Sequence, residues 1–287
     1  MHNVIFTDNA NQKDLLIINQ HGGSPHFKFP DEIQKAFDTL GQPFRDFLEL
    51  ERDVGATELA QTIFDLSCRM GLRVARIDCP APRAIVDINR RPHLSSSVEL
   101  PPALQAQVEI IHRATTKEIL DCIRETHPRI VLDVHTMSPI APALSPKLSL
   151  EDARSFSAHV DAWNFAARTI SQSSTAGRRP TCIIDSLNTH EMIGNHRLSD
   201  ELNETFNAPG NPLTHAERNK PFAPTSERHQ GQLFIGDGRG VAVDINKNDL
   251  TDTPLSGIDM AHLQLSDAKV HFIARLITNS IAKVLHH

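Results

Sequence analysis

The sequence predicts an α/β fold, a three-layer sandwich in which helices cover both faces of a mixed, mainly parallel central sheet. Short runs of branched aliphatic residues recur along the chain, as expected of strands that are buried on both faces. Longer segments with apolar residues at helical spacing separate these runs, and strands that alternate with helices favour parallel pairing. The predicted strands are residues 15–18, 73–77, 84–88, 130–134, 182–184 and 241–245.

The helical pattern is carried by longer segments between or after these strands. Gly71 follows the first helical segment, at the position where helices commonly end in a left-handed residue. Pro128 stops the second. The last segment has its apolar side chains on one stripe, which indicates burial against the sheet. The four predicted helices are residues 56–70, 104–126, 151–170 and 259–285.

The length of 287 residues suits one large α/β domain with a substantial core. We therefore predict a single domain over residues 1–287. A stretch rich in proline, asparagine and charge predicts a long loop excursion at about residues 207–231. Loops of that length in compact domains are often lids or binding loops.

The composition argues against several classes of partner. The formal net charge is -6 and there is no long cluster of lysine or arginine, so neither nucleic acid nor an anionic membrane is expected. No apolar run approaches the roughly 20 residues that span a bilayer. The first residues lack the pattern of a signal peptide. The 4 cysteines are widely spread, which favours reduced thiols and a cytoplasmic protein.

Two histidines stand directly after predicted strands. Ligands collect beyond the carboxyl ends of the strands in open α/β sheets, so these positions are candidate site residues. His21 follows residues 15–18 and precedes two glycines, and His135 follows residues 130–134. Alternation along a strand puts Asp133 on the same face as His135, where a carboxylate can orient a metal-bound imidazole. The alternatives are that His21 is a turn histidine with no further role and that Asp133 and His135 form a hydrogen-bonded pair in the core.

Polar residues also mark two other predicted strands. Asn89 and Arg90 follow residues 84–88 and Arg83 precedes them. Arginine presents a planar fork that matches a carboxylate. Asp244 lies inside the apolar run of residues 241–245, where burial would raise its pKa toward the range of a general base. Structural pairing of that acid is the alternative.

Read together, these segments resemble the N-formylglutamate amidohydrolase family. The similarity runs in order from about His21 to Asp249. The motifs that carry it are His-Gly-Gly-Ser-Pro from residue 21, Asp-Val-Gly-Ala from residue 53, Arg-Ala-Ile-Val-Asp-Ile-Asn-Arg from residue 83, Asp-Val-His-Thr from residue 133, Asn-Lys-Pro-Phe from residue 219, and Val-Asp-Ile-Asn-Lys from residue 243.

The resemblance implies a metal site. The family is related to zinc carboxypeptidases and aspartoacylase, so a phosphorylase/hydrolase-like sandwich and one Zn²⁺ ion per chain are expected. His21, His135 and Asp53 would be the metal ligands, with one position left for water. The carboxypeptidase relatives have a glutamate where this chain has Ser24, so Glu51 is the reserve for the third ligand. From local context alone, Asp53 would be assigned to helix capping.

The resemblance also implies an activity. Asp244 would be the base that takes a proton from water and passes it to the leaving nitrogen. Asn89 and Arg90, assisted by Arg83, would bind a substrate carboxylate. The expected enzyme is a zinc-dependent amidohydrolase, a deformylase that acts on a small anionic N-acyl amino acid such as N-formylglutamate.

Other functions compete with this one. A carboxypeptidase-like enzyme or another N-acyl amino acid deacylase would use the same site. A non-catalytic relative that binds metal or ligand stays an alternative because Asp244 is one methylene shorter than the glutamate of many relatives. A serine hydrolase is disfavoured because no G-x-S-x-G motif is present. The sequence is compatible with a homo-oligomer.

Overall fold

The computed structural model shows a central sheet flanked by helices. The structure describes residues 3–6, 12–24, 26–139, 148–172, 180–186, 192–213, 215–220, 232–253, 259 and 261–286. In chain order the strands are β1 Asn3–Phe6, β2 Leu15–Asn19, β3 Val74–Asp78, β4 Val98–Glu99, β5 Ile130–Met137, β6 Leu148–Ser149, β7 Thr181–Ile184, β8 Ala216–Arg218 and β9 Gly240–Asn246.

The helices lie mostly in the connections between strands. They are α1 Asp31–Asp38, α2 Gly41–Glu51, α3 Ala56–Arg69, α4 Pro102–Thr126, α5 Ala153–Gln172, α6 His196–Phe206, α7 Gln232–Ile235 and α8 Asp267–His286. Two short 3-10 helices, Pro92–Leu94 and Lys247–Leu250, accompany them.

The sheet is mixed and mainly parallel, as predicted. Seven strands pair in the order β1-β3-β2-β5-β9-β7-β8, while β4 and β6 form a separate pair. The inner strands β3, β2, β5 and β9 are parallel to one another. β1 runs antiparallel to β3 and β7 antiparallel to β9, whereas β8 is parallel to β7. The carboxyl ends of β2, β5 and β9 therefore meet at one edge of the sheet.

Both faces of the sheet are covered, which confirms the three-layer sandwich. Leu15 and Ile17 of β2 belong to a core that includes apolar residues of α3, α6 and α8. Leu16 and Ile18 belong to the opposite core, with residues of α1, α2, α4, α5 and α7. Alternate side chains of one strand thus enter two different cores, which is why the strand reads as an uninterrupted apolar run.

The predicted strand at residues 84–88 is wrong. The segment forms turns, in which the amides of Ile85 and Val86 donate to the carbonyl of Pro82 at 3.0 and 2.9 Å. The amide of Asp87 donates to the carbonyl of Ser95 at 2.9 Å. The apolar side chains are nevertheless buried in the second core. An apolar run reports burial, and here the burial is achieved without a neighbouring strand.

Element boundaries differ elsewhere from the sequence pattern. Gly71 ends α3 with a φ of 81°, as predicted. α8 begins at Asp267 rather than at residue 259. Within the predicted excursion of residues 207–231, β8 adds an edge strand beside β7, while residues 214 and 221–231 lie outside the described residues.

The described part of the chain contains no disulfide bond and no candidate membrane span. Cys68, Cys79, Cys122 and Cys182 are not joined in disulfides, in agreement with the reduced thiols expected from the sequence. None of the described helices combines the length and the apolar character that crossing a bilayer requires.

Candidate metal centre

His21 lies just beyond the end of β2 and is fully buried. Its Nε2 faces Oδ1 of Asp87 at 3.0 Å. The glycines after it are required by packing, since a Cβ on Gly23 would lie 2.1 Å from the carbonyl oxygen of Ala81. The chain therefore turns tightly against the segment that carries Asp87. A carboxylate on Nε2 selects the tautomer in which Nδ1 has a lone pair.

His135 lies in β5 and has the same arrangement. Its Nε2 faces Oδ2 of Asp133 at 3.0 Å, so the contact expected from strand alternation is present. The side-chain amide of Gln20 donates to the same carboxylate oxygen. Burial disfavours the charged imidazole, yet the Asp133 and Asp53 carboxylates raise the pKa of His135 well above its usual range. This environment attracts positive charge, which a proton or a metal ion can supply.

Asp53 lies in the short connection between α2 and α3. Its Oδ2 is 3.2 Å from Nδ1 of His135 and 3.3 Å from Nδ1 of His21. The other oxygen accepts a hydrogen bond of 2.7 Å from Arg83. Burial disfavours the ionised carboxyl, but the positive charge of Arg83 and the interactions with His21 and His135 hold the pKa of Asp53 well below its usual range. Asp53 is therefore anionic and directed at both imidazoles.

The donor set fits a divalent transition metal. The two Nδ1 atoms lie 3.1 Å apart, and Oδ2 of Asp53 lies 3.2 and 3.3 Å from them. Ligand atoms bound about 2.0–2.1 Å from a tetrahedral zinc ion are separated by about 3.3 Å. His21, Asp53 and His135 form a buried group of potential metal ligands. Two imidazole nitrogens and one carboxylate oxygen are a common catalytic zinc set.

Asp244 lies beside this group. It is opposite His135 in the parallel pairing of β5 with β9. Its Oδ1 is buried and has no hydrogen-bond partner among the described residues. Burial and the negative charge of Asp53 raise the pKa of Asp244 to about 6. A buried carboxyl group that has one oxygen available and a raised pKa has the properties of a general base.

Arg83 and Arg90 share the Asp87 carboxylate. Nε of Arg90 lies 2.9 Å from Oδ2 of Asp87, and Nε of Arg83 lies 3.6 Å from it. The backbone amide of Asn89 donates a hydrogen bond to Oδ1 of Asp87 at 3.0 Å. The side chains of Arg90 and Arg83 remain 40% and 33% exposed, respectively. Each arginine side chain is thus anchored to the protein and still partly exposed.

The sequence assigns no role to two residues of the centre. Asp87 contacts His21, Arg83 and Arg90. The only sequence feature that could have pointed to it is its position as an acid within an apolar run, directly before Ile-Asn-Arg. Lys247 is 3% exposed at the end of β9. Its Nζ donates to the carbonyl of Arg52 at 2.6 Å, and burial lowers its pKa to about 8. A lysine beside a strand end gives no comparable signal.

Other residues considered from the sequence have different partners. Glu51, the reserve ligand, has its carboxylate 3.5 Å from His159 of α5. Ser24 accepts a hydrogen bond from the amide of His26. Asn219 bonds to Asp185 at the end of β7, which is the opposite edge of the sheet from His135. Residues 221 and 222, the end of the Asn-Lys-Pro-Phe motif from residue 219, lie outside the described residues.

Solved structures share this architecture. The gene product Atu2144 from Agrobacterium tumefaciens is 16% identical, with a TM-score of 0.58 over 99% of this chain and 94% of that chain. The N-formylglutamate amidohydrolase from Ralstonia eutropha is 12% identical, with a TM-score of 0.57 over 99% and 97%. This chain has the fold of an N-formylglutamate amidohydrolase. The expected resemblance is confirmed at that level, although no family model and no curated protein matches the sequence.

Proposed function

We propose that this chain is a zinc-dependent amidohydrolase that cleaves the N-acyl amide of a small acidic amino acid, such as N-formylglutamate. The observation that carries the proposal is the convergence of Nδ1 of His21, Nδ1 of His135 and Oδ2 of Asp53, separated by 3.1 to 3.3 Å. The fold shared with the Ralstonia eutropha enzyme supports the choice of reaction.

The metal ligands are oriented by neighbouring groups. Asp87 and Asp133 accept hydrogen bonds from the Nε2 atoms of the two histidines and leave each Nδ1 free to bind the ion. Arg83 neutralises the other oxygen of Asp53. A bound zinc ion would supply Lewis acidity, which activates water and polarises the scissile carbonyl.

Asp244 performs the proton transfer in this proposal. In its ionised form it accepts a proton from the water that attacks the acyl carbon. It returns that proton to the amide nitrogen as the C–N bond breaks. The second proton of the water leaves the new carboxyl group and is taken up by the released amine, so the products are a carboxylate and an ammonium group. Among the described residues its Oδ1 has no hydrogen-bond partner, and its pKa of about 6 suits both steps near neutral pH.

The substrate carboxylate is bound by Arg90, Asn89 and Arg83 in this proposal. The two arginine side chains are partly exposed, and both contact Asp87, which orients them. A planar guanidinium binds a carboxylate through two hydrogen bonds, so an anionic substrate is favoured over a neutral one. The proposed partner is therefore a small anionic N-acyl amino acid.

The proposal is tested by metal analysis combined with substrate profiling. The purified protein is expected to hold one zinc ion per chain and to release formate from N-formylglutamate. Three further substrates test the specificity. N-acetylglutamate tests the preference for the acyl group, and N-formylleucine tests the preference for the side chain. A short peptide with a free carboxyl terminus tests for carboxypeptidase-like activity. Asp244→Asn should retain the metal and lose about 10²–10⁴-fold in kcat. His21→Ala and His135→Ala should lose the metal.

Each alternative has its own outcome in this experiment. Preference for the peptide would identify a carboxypeptidase-like enzyme, and preference for another acyl group a different deacylase. Stoichiometric zinc without turnover of any of these substrates would identify a non-catalytic binding protein. Equal zinc content in the wild type and in both histidine variants would remove the proposed centre.

A further inference from the structure

Lys247 is a buried cation that is hydrogen-bonded to the backbone near the metal centre. It begins the 3-10 helix Lys247–Leu250, directly after the strand that carries Asp244. Its side chain is only 3% exposed. Burying an ammonium group is costly unless it is paired and hydrogen-bonded. The charges of Asp53, Glu51 and Asp244 favour its protonated form, whereas the charge of Arg83 opposes it.

The acceptor of that hydrogen bond is next to a candidate metal ligand. Nζ of Lys247 donates to the carbonyl of Arg52 at 2.6 Å, across 195 positions of sequence. That carbonyl belongs to the peptide group that joins Arg52 to Asp53. The amide of the same peptide group donates to the carbonyl of His21 at 3.1 Å. Both polar atoms of this one peptide group are therefore fixed. His21 holds the amide, and Lys247 holds the carbonyl together with the backbone amide of Val54, which donates to that carbonyl at 2.8 Å.

The segment around Asp53 needs such fixation. Arg52 ends α2 in an extended conformation, and Gly55 begins α3 with a φ of 94°. Asp53 thus lies in a short connection, outside the hydrogen-bond ladder of either helix. A rotation of its preceding peptide would move Oδ2 away from the two Nδ1 atoms. Small displacements of a ligand weaken a metal site because ligand geometry must match the ion closely.

We propose that Lys247 is a positioning residue for the metal centre, which fixes the peptide group before Asp53 and so holds the Asp53 carboxylate at the distance that zinc requires. This inference rests on the proposed function, because it assumes that His21, Asp53 and His135 bind zinc. Lys247 thereby links the strand that bears the base to the connection that bears the third ligand.

The test is the zinc affinity of Lys247→Met, measured by competition with a chromogenic chelator together with the thermal unfolding midpoint. Methionine has a similar length but no charge and no donor. We expect zinc to bind at least about tenfold more weakly, in line with the effect of losing groups that orient metal ligands. Lys247→Gln, whose amide is too short to reach the Arg52 carbonyl, should show the same loss if the methionine variant does not fold.

Lys13→Met is the matched control. Lys13 is also buried, at 1% exposure, but it precedes β2 at the opposite edge of the sheet. This variant should lower the unfolding midpoint and leave the zinc affinity within about twofold of the wild-type value. Wild-type affinity in a folded Lys247→Met or Lys247→Gln variant would overturn the inference while leaving the zinc centre intact. Failure of the wild type itself to bind zinc would overturn both proposals.

Discussion

Asp87 contacts groups of two different kinds in the centre. One of its oxygens faces Nε2 of His21 at 3.0 Å and the other faces Nε of Arg90 at 2.9 Å. It therefore orients a candidate metal ligand and a candidate substrate-binding group at once. Burial disfavours its charge, but His21 and Arg83 keep the pKa of Asp87 well below its usual range.

Asp87→Asn should weaken zinc binding by about 10–100-fold, the usual effect of losing a carboxylate that orients a ligating histidine. An asparagine keeps the size of the side chain and removes its charge. Zinc affinity by chelator competition measures the effect. Asp185→Asn is the control, because Asp185 is also buried and paired with Arg218 but lies at the far edge of the sheet. An equal loss of affinity in both variants would contradict a specific role for Asp87.

The raised pKa of Asp244 predicts how the activity falls on the acid side of the pH profile. Because burial and the Asp53 charge raise its pKa to about 6, the carboxyl of the metal-free protein should titrate there by ¹³C NMR. Only the ionised form accepts a proton, so activity is present above the pKa and is lost as the pH falls through it. A bound cation favours ionisation, which places the limb of the loaded enzyme at or below about pH 6. Activity that increases on acidification would exclude Asp244 as the base.

At the scale of elements, the connection between α2 and α3 depends on Gly55. Its φ is 94°, and a Cβ there would lie 2.7 Å from Cδ1 of Leu250. Gly71, which ends α3, has a φ of 81°, but among the described residues no atom lies within 4 Å of the position that its Cβ would take. The two glycines share the backbone requirement and differ in the space around them.

Gly55→Ala should therefore cost more than Gly71→Ala. The left-handed backbone alone costs about 1–2 kcal/mol for alanine, and overpacking against Leu250 adds about 1–3 kcal/mol. The free energy of unfolding in urea measures both variants. Gly55→Ala should also weaken zinc binding, since it displaces Asp53. Equal destabilisation of the two variants would show that the packing around Gly55 can relax.

At the scale of the whole molecule, the metal should contribute to stability, because it joins residues from three separate parts of the chain. A ligand that binds only the folded state at 100 times its Kd stabilises by about 2.7 kcal/mol. Treatment with a chelator should lower the unfolding midpoint, and added zinc should restore it. His21→Ala should show neither change. A zinc-dependent shift in that variant would indicate binding elsewhere.

The sequence predicts best where the relation between residues is local. Asp133 and His135 are two positions apart on one strand, so strand alternation alone places them together. The contact between Asp87 and His21 spans 66 positions and depends on turns that read as a strand in the sequence. Lys247 reaches the Arg52 carbonyl over 195 positions, which no local pattern reveals. The choice of Asp53 over Glu51 depends on the family resemblance, and the structure places Asp53 beside the histidines.

The shared carboxylate of Asp87 has a consequence for cooperativity. If a bound product carboxylate draws Arg90 toward itself, the charge balance on Asp87 changes, and so does the contact of Asp87 with His21. Thermodynamic linkage is reciprocal, so zinc and product must then alter each other's dissociation constants by the same factor. Calorimetric titration of glutamate into the zinc-loaded and zinc-free protein measures that factor. Identical dissociation constants of glutamate in the two titrations would mean that Asp87 does not couple zinc binding to product binding.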